Sequence, residues 1–489
     1  MKNRIAAAAV LSALILGGAA ANAAQPMAPS APTNADLQSR VQSLEKRLAE
    51  LEKSIVPAPA APAAATAPGA AQPFDFADFT WLNGNSREHT NPFDGKYFTP
   101  ELRLDANYTY DFNHPKDHPL DGANDVGRTN ELQVQQLGVG GDLHLEHVRG
   151  RVMTQFGIYS QMTPRSDASP SRGQWNLNNA YQYVSEANAG YHWDALHGVN
   201  LDAGVFLSYV GLFSYYNADN WAYQPSYVSA NTPWFFNGLR LQLFPTDRWK
   251  AEFWLVNGWQ SYGMFNEMPG FGTQQLWRPT GWLSFLSNDY WGYDTLNNPA
   301  RQRYHTDDSV EIKYYDAPSR FIDKAAFSLT LDAGCEDGGG VSCFRSSRSK
   351  GPQQDFLGFM LYDRTWFARD HFGLTVGGGA ITNPGRYLVQ LPPVNGATAA
   401  TGSPYFTANP GDRFKAWDMS VTFDYMPDDW VTWRLEGNHR ASSAPYFAGP
   451  GGMTPPGGNT GAPGTVVPGF TPDLRRSENR ITLALLVKI

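Results

Sequence analysis

Residues 102–112 alternate strictly between apolar and polar side chains. They read LRLDANYTYDF, with every even-numbered position apolar or aromatic and every odd-numbered position polar. Successive side chains of a β-strand point to opposite faces, so the pattern predicts a strand with one apolar and one polar face. At about 3.3 Å per residue and a tilt near 40°, this strand rises roughly 28 Å, about the height of the apolar band of an outer-membrane barrel.

The same alternation recurs along the chain and predicts about sixteen strands, starting near residue 98. The connections between them are alternately short and long. The short connections are 146–147, 194–198, 245–247, 278–280, 316–319 and 426–429, and the long ones are 113–129, 160–178, 211–235, 292–306, 335–353, 383–412 and 441–476. Bacterial outer-membrane barrels have short periplasmic turns and long external loops. We therefore expect an all-β fold, a transmembrane antiparallel β-barrel over residues 74–489. A soluble β-sandwich shares the alternation but does not explain the loop asymmetry.

The N-terminal part of the chain has a different composition. Residues 1–23 predict a signal peptide, with a basic start, a short apolar stretch and an Ala-Asn-Ala cleavage site. Residues 24–34 are predicted to be a flexible N-terminus. Residues 35–55 carry about three heptads and predict a coiled-coil helix, although a single amphipathic helix lying on another surface fits the same pattern. Residues 56–73 form an Ala/Pro-rich linker. Such a coiled coil, tethered to a barrel, predicts a homotrimer.

Composition narrows the class of protein further. The mean hydropathy is polar, as in a barrel, whose membrane signal is confined to alternate residues. Aromatic residues make up 13% of the chain, which suits membrane-interface girdles. With a signal peptide, this predicts the outer membrane of a Gram-negative bacterium, where lipids surround the barrel. A net charge of −8 argues against a nucleic-acid partner.

The two cysteines, Cys335 and Cys343, lie in the stretch CEDGGGVSC. A chain exported through an oxidising periplasm can pair them, and the glycine-rich spacer lets the two ends meet. We therefore expect a disulfide within one external loop, with two free thiols as the alternative.

Three stretches of the chain resemble the β-barrel porin-2 (OmpL-like) family, over roughly residues 74–489. They are FADFTWLNGNSREH at 76–89, FFNGLRLQLFPTD at 235–247 and YHTDDSVEIKYYD at 304–316. The resemblance implies an outer-membrane porin and supplies no catalytic or substrate-binding residues. Outer-membrane proteins commonly end in Phe or Trp, whereas this chain ends in Ile489. The alternating face of the last strand is kept, so we expect the barrel insertion machinery to accept it.

No motif for catalysis, metal or cofactor binding stands out. The chain has no G-x-S-x-G, H-E-x-x-H or G-x-x-x-x-G-K-[ST] sequence. Asp117, Asp121 and Asp125 could supply calcium ligands but lack the EF-hand spacing, so a solvated acidic loop is the preferred interpretation. The sequence HLEH at 144–147 is interpreted as a solvated turn. We therefore expect a protein that is not an enzyme and needs no cofactor or metal.

The polar parity of the strands predicts the residues that line the pore. They are Arg103, Asp105, Arg149, Arg151, Asp202, Arg240, Lys250, Glu252, Arg434 and Glu436. Their charges are mixed, so the composition of the wall does not establish strong ion selectivity. Any one of these residues could serve only to stabilise the wall. We expect passive diffusion of small hydrophilic solutes and ions. The alternatives are a channel specific for sugars or aromatic acids and a non-conducting structural or adhesive barrel.

The third long connection, 211–235, is rich in aromatic residues, and Asp219 is its only charged residue. The third external loop of general porins folds into the lumen and narrows it, and the resemblance suggests the same here. Tyr215, Tyr216, Asp219 and Trp221 are therefore the candidate constriction residues. The alternative is that these aromatic side chains pack into a lid over the barrel mouth or against a neighbouring subunit.

Overall fold

The protein is represented by a computed structural model. It describes residues 72–88, 91–120, 126–165, 167, 169, 173–264, 266–295, 298–344, 351–384, 387, 413–457 and 467–489, together with scattered positions between 35 and 47. The chain divides into two units, Met1–Gly69 and Ala70–Ile489. In the first unit the described positions are helical and exposed. The signal peptide and most of the linker lie outside the described residues, and the coiled coil stays a prediction.

Sixteen antiparallel strands close into a barrel, which confirms the predicted fold class and strand number. Strand β1 pairs with β2 on one side and with the last strand, β18, on the other. The barrel strands are β1 (Phe98–Asp111), β2 (Leu132–Leu145), β3 (Val148–Thr154), β4 (Val184–Trp193), β5 (Val199–Leu207), β6 (Phe235–Thr246), β7 (Trp249–Val256), β8 (Gly270–Thr280), β9 (Leu283–Gly292), β10 (Gln302–Asp316), β11 (Ile322–Asp337), β12 (Asp355–Phe367), β13 (Phe372–Pro384), β14 (Arg413–Tyr425), β15 (Val431–Ser442) and β18 (Ser477–Lys488). Two short strands, β16 (Phe447–Ala448) and β17 (Leu474–Arg475), pair with each other outside the barrel sheet.

The two faces of the wall follow the alternation in the sequence. In β14 exposed and buried residues alternate over the whole strand. Leu435 and Leu483 are opposite each other on β15 and β18 and are 48% and 49% exposed, as expected for a face that meets lipid. Their neighbours Arg434 and Thr482 point the other way and are buried. The apolar parity therefore forms the outer surface and the polar parity faces the lumen.

The connections differ in length between the two ends of the barrel. Short turns join the two strands of each successive pair, from β2–β3 to β14–β15. In bacterial barrels the short turns lie at the periplasmic end, so we assign the end that carries them to the periplasm. One predicted turn, at 278–280, is wrong because β8 continues to Thr280 and the turn lies at Gly281–Trp282. The sequence analysis also did not recognise residues 257–269, which connect β7 to β8, as a long connection.

Two of the longer connections contain short helices in their described residues. Helices α1 (Tyr159–Arg165) and α2 (Leu177–Tyr181) lie between β3 and β4, and α3 (Tyr227–Ala230) lies between β5 and β6. Two 3-10 turns are formed by Thr80–Leu82 and Asn217–Asp219. None of the described helices has the length and apolar character needed to cross a membrane.

A disulfide joins Cys335, near the end of β11, to Cys343 in the connection to β12. Their Cα atoms are 5.2 Å apart. By the orientation of the barrel this connection is on the external side.

Candidate functional site

The connection between β5 and β6, residues 208–234, folds into the lumen and reaches the opposite wall. Every residue from 220 to 236 is buried. The hydroxyl of Tyr223 donates a hydrogen bond to Asp105 of β1, with an O–O distance of 2.6 Å. The side chain of Ser226 donates to Asp418 of β14 at 2.8 Å. We call residues 208–234 the inserted loop.

Two of the predicted lumen residues bind the backbone of the inserted loop. The guanidinium of Arg434 donates to the carbonyl oxygens of Asn217, at 3.0 Å, and Asn220, at 2.7 Å. The carboxylate of Glu436 accepts hydrogen bonds from two successive backbone N–H groups, those of Tyr223 at 2.6 Å and Gln224 at 2.9 Å. Charged side chains of the wall therefore satisfy loop backbone groups that are buried away from water.

The aromatic candidates for the constriction are packed against the wall and other connections. Tyr216 is 2% exposed, and its hydroxyl donates to Glu186 of β4 at 2.8 Å. Tyr215 is also buried and contacts the Thr163 hydroxyl of α1 at 2.7 Å. The indole N–H of Trp221 donates to the carbonyl oxygen of Trp81 at 3.2 Å. These rings position the loop, and few of their atoms face solvent.

Asp219, the single charge of the inserted loop, pairs with two cations of the wall. Its carboxylate lies 3.0 Å from Arg103 of β1 and 3.1 Å from Lys488 of β18. Burial alone would raise the pKa of Asp219, but the charges of Arg103 and Lys488 outweigh it and hold the pKa at about 2. The carboxylate is therefore ionised throughout the physiological pH range.

Beside β2–β8 the lumen contains a cavity of about 650 Å³, lined by residues of these strands and the first residues of the inserted loop. Arg151 of β3 is one centre of its charge network. Its guanidinium lies 2.8–2.9 Å from the carboxylates of Glu101, Asp142 and Glu186. We call this space the charged cavity.

The remaining charges on this wall are also paired. Asp202 of β5 lies 3.3 Å from Arg149 and 2.7 Å from Arg240. Lys250 lies 2.9 Å from Glu252 of the same strand. Arg149 keeps the largest contact with solvent, with 39% of its side chain exposed. Positive and negative groups thus alternate around a water-accessible space.

Aromatic rings form the inner end of the charged cavity. Phe206, Tyr209 and Trp254 all line it. The rings of Tyr209 and Trp254 stack with centroids 4.8 Å apart, and the Arg240 guanidinium lies 4.8 Å from the centre of the Phe206 ring.

The ten residues predicted to line the pore therefore occupy two environments. Five line the charged cavity: Arg149, Arg151, Arg240, Lys250 and Glu252. Four contact the inserted loop: Arg103, Asp105, Arg434 and Glu436. Asp202 is buried beside the cavity and holds two of its arginines. Asp117, from the first loop, accepts hydrogen bonds from the backbone of Met453 and Thr454, and its two possible calcium partners lie outside the described residues.

Sequence reasoning missed several residues that complete this arrangement. Glu101 has the same parity as Arg103, so the alternation of β1 could have identified it. Arg364 and Asp424 form a fully buried ion pair at 2.8 Å, and Asp424 also pairs with Arg434. Both lie at the lumen parity of predicted strands. Trp81 precedes the barrel, where no alternation marks which side chains point inward.

Comparison with known proteins gives one family match. The model of the family described as Putative beta-barrel porin-2, OmpL-like, matches residues 98–466. No curated protein has significant sequence similarity to the chain.

Solved structures share the barrel only at low similarity. The outer membrane channel DcaP of Acinetobacter baumannii has 12% identity and a TM-score of 0.43, with 82% of this chain and 100% of that chain covered. An anion-selective porin from Comamonas acidovorans has 10% identity and a TM-score of 0.45, with 80% and 99% covered. Pseudomonas putida OprB has 11% identity and a TM-score of 0.46, with 81% and 94% covered.

Proposed function

Because the chain belongs to the Putative beta-barrel porin-2, OmpL-like, family and is an outer-membrane porin of a Gram-negative bacterium, we propose that small hydrophilic solutes and ions diffuse passively through one half of its lumen. This half is the charged cavity along β2–β8. The other half is occupied by the inserted loop and the residues packed on it. The family and the fold point to a channel rather than to an enzyme.

The composition of the charged cavity supports this route most directly. Its walls present Arg149, Arg151, Lys250 and Glu252 to a space of about 650 Å³, whereas the lumen face of β14 and β15 is covered by buried loop residues. Charged side chains with solvent contact keep such a space hydrated. Since each cation has a carboxylate neighbour, hydrated ions of either sign find partners along the wall, and the channel should discriminate weakly between them.

Charge reversal in the cavity tests the route. In planar bilayers with a KCl gradient, the double variant Arg149→Glu/Lys250→Glu should become cation-preferring, with the K⁺/Cl⁻ permeability ratio raised by roughly an order of magnitude. The matched control is Arg320→Glu on the exposed turn between β10 and β11, which should keep the wild-type reversal potential. A double variant with an unchanged reversal potential would exclude the charged cavity as the ion route.

The inserted loop is the proposed constriction. Its backbone at Asn217–Asn220 lies between the wall at Arg434 and the wall at Arg103. The candidate residues Tyr215, Tyr216 and Trp221 would act by holding the loop in place, and Asp219 would supply its anchoring charge.

A channel specific for sugars or aromatic acids is the second candidate, favoured by the inner end of the charged cavity. The rings of Phe206, Tyr209 and Trp254 lie there beside the Arg240 guanidinium. Aromatic faces stack on sugar and phenyl rings, and a guanidinium binds carboxylates. A saturable block of the ion current by one such solute, absent in Trp254→Ala, would favour this candidate over general diffusion.

Assembly into a homotrimer is also proposed, on the basis of the heptads at 35–55. The apolar positions of an isolated heptad segment would remain exposed to water, and self-association buries them.

A further inference from the structure

Residues 72–88, which precede β1 in the chain, lie across the end of the barrel that carries the short turns. The backbone N–H of Phe74 donates to the carbonyl oxygen of Asp247, in the β6–β7 turn, at 2.7 Å. The side-chain amide of Asn85 donates to the carbonyl of Asp428, in the β14–β15 turn, at 3.1 Å. The segment therefore spans from one side of the barrel rim to the other. We call residues 72–88 the stopper segment.

Trp81 is the largest fully buried side chain of the stopper segment. It is 1% exposed and belongs to an apolar cluster with Trp221 of the inserted loop and Trp366 of β12. Its indole N–H donates to the carbonyl oxygen of Gly281, in the β8–β9 turn, at 3.1 Å. An aromatic side chain of this size, buried with its polar atom satisfied, fixes the segment in one position.

The stopper segment and the inserted loop are in direct backbone contact at Gly84. The N–H of Gly84 donates to the carbonyl oxygen of Asp219 at 2.8 Å. A Cβ atom on Gly84 would lie 2.2 Å from the carbonyl oxygen of Ala218, so no larger residue fits without a backbone shift. Arg364 of β12 donates to the carbonyl oxygen of Gly84 at 2.9 Å and ties both to the wall.

The outer edge of the stopper segment is held by exposed charges. Arg87 lies 3.6 Å from Asp429, and Glu88 lies 2.8 Å from Lys488, with between 22% and 37% of these four side chains exposed. Ion pairs that contact water contribute little to stability and are weakened by salt. Retention of the segment therefore depends mainly on the buried Trp81 cluster.

We propose that the stopper segment closes the periplasmic end of the lumen beneath β10–β15, with Trp81 as its anchor, so that residues preceding the barrel set the open cross-section of the channel together with the inserted loop that they contact. The proposal rests on the proposed porin function, because it concerns how much of a conducting lumen is open. Trp81 therefore limits permeation by holding the stopper segment in place, without contacting a solute itself.

The first experiment removes the anchor. Trp81→Ala should raise the single-channel conductance at least twofold in planar bilayers, while Trp282→Ala should leave it unchanged. Trp282 lies in the neighbouring β8–β9 turn, is 49% exposed, and controls for the loss of an indole at this end of the barrel. Heat-modifiable migration on gels identifies variants that have folded.

A thiol reporter follows the segment itself. Ser86 is fully buried, and the two native cysteines are joined in a disulfide, so Ser86→Cys supplies the single free thiol. A membrane-impermeant maleimide added to the folded protein should not react in this background and should react when Trp81→Ala is added.

A reversible tether completes the test. A Cβ on Gly281 would lie 2.7 Å from that of Ala77, so a shift of about 1 Å at the rim brings an Ala77→Cys/Gly281→Cys pair to disulfide geometry. In the Trp81→Ala background the oxidised pair should restore the wild-type conductance, and reduction should raise it again. Trp81→Ala alone, treated with the same reductant, controls for opening of the native disulfide.

The results separate this proposal from the proposed function. If the wild type does not conduct, the porin route fails. If the wild type conducts and Trp81→Ala exposes Cys at position 86 without any change in conductance, the stopper proposal alone is overturned. It is likewise overturned if the thiol stays protected in Trp81→Ala, because Trp81 is then not the anchor.

Discussion

Charged side chains on the lumen face hold the inserted loop as well as lining the charged cavity. Arg434 pairs with Asp424 at 2.7 Å and binds two loop carbonyl groups, all away from water. Removing one partner of a buried ion pair costs far more than the pair itself contributes, because the other charge remains buried. The loop is thus held by groups whose loss the barrel tolerates poorly.

We expect Arg434→Met to lower the stability of the barrel by about 3 kcal/mol. The change leaves the carbonyl group of Asn220 without its donor and removes one of the two hydrogen bonds to the carbonyl group of Asn217, while Asp424 keeps only its pair with Arg364. Urea unfolding in detergent, followed by tryptophan fluorescence, measures the difference. Arg320→Met, on an exposed turn, should be neutral, and equal stability of the two variants would contradict the role assigned to Arg434.

The Asp219 contact should depend on pH only in strong acid. A group whose pKa is lower in the folded protein than in the unfolded chain stabilises the fold above its unfolded pKa, near 3.8, and loses this contribution as the pH falls through its folded pKa. For Asp219 that value is about 2. The ratio of the wild-type conductance to that of Asp219→Asn should therefore be constant between pH 7 and pH 4. It should approach one only below about pH 3. Convergence at pH 5 would show that Arg103 and Lys488 do not hold the carboxylate.

The parity of the strands identified ten lumen candidates because a strand has a side-chain period of two. The same parity includes Arg364 and Asp424, which were not singled out. Which of these residues meet a loop and which meet a cavity depends on contacts between distant parts of the chain, such as Glu436 with Tyr223. Local periodicity contains no information on such contacts.

The inserted loop is the element whose placement the sequence left open. Its aromatic content indicated that it would be buried, but both a lumen position and a lid agreed with that content. In the structure its hydrogen bonds to Asp105 and Asp418 place it inside the barrel. The position of the stopper segment was even less predictable, because residues 74–97 show no strand or helix period.

Loosening the loop should widen the channel. The triple variant Tyr215→Ala/Tyr216→Ala/Trp221→Ala removes the rings that pack the loop against α1, β4 and Trp81. Its single-channel conductance should rise, and any block by sugars should weaken. Trp175→Ala, at a site that is 78% exposed, is the control. An unchanged conductance in a correctly folded triple variant would place the loop outside the permeation route.

For the whole molecule, the barrel and the N-terminal helix should be separable. Deleting residues 24–71 removes the predicted coiled coil and leaves the stopper segment and all sixteen barrel strands. We expect the variant to insert as a heat-modifiable barrel with wild-type single-channel conductance and a weakened oligomer. Crosslinking in native membranes measures the oligomer, and a full-length protein that crosslinks only as a monomer would contradict the homotrimer.

The closed barrel itself was predictable because few other folds accommodate sixteen alternating segments joined by alternately short and long connections. The division of its lumen into a charged half and a filled half was not, since both halves have the same polar parity. The proposed division depends on where the inserted loop and the stopper segment fold.

A pair of matched cysteine variants tests this division of the lumen. Ser208 lines the charged cavity, whereas Ser420 of β14 is 2% exposed on the filled side. A charged methanethiosulfonate reagent, applied to open single channels, should reduce the current through Ser208→Cys in steps and leave Ser420→Cys unaffected. Block of Ser420→Cys with no effect on Ser208→Cys would show that solutes cross by the other half of the lumen.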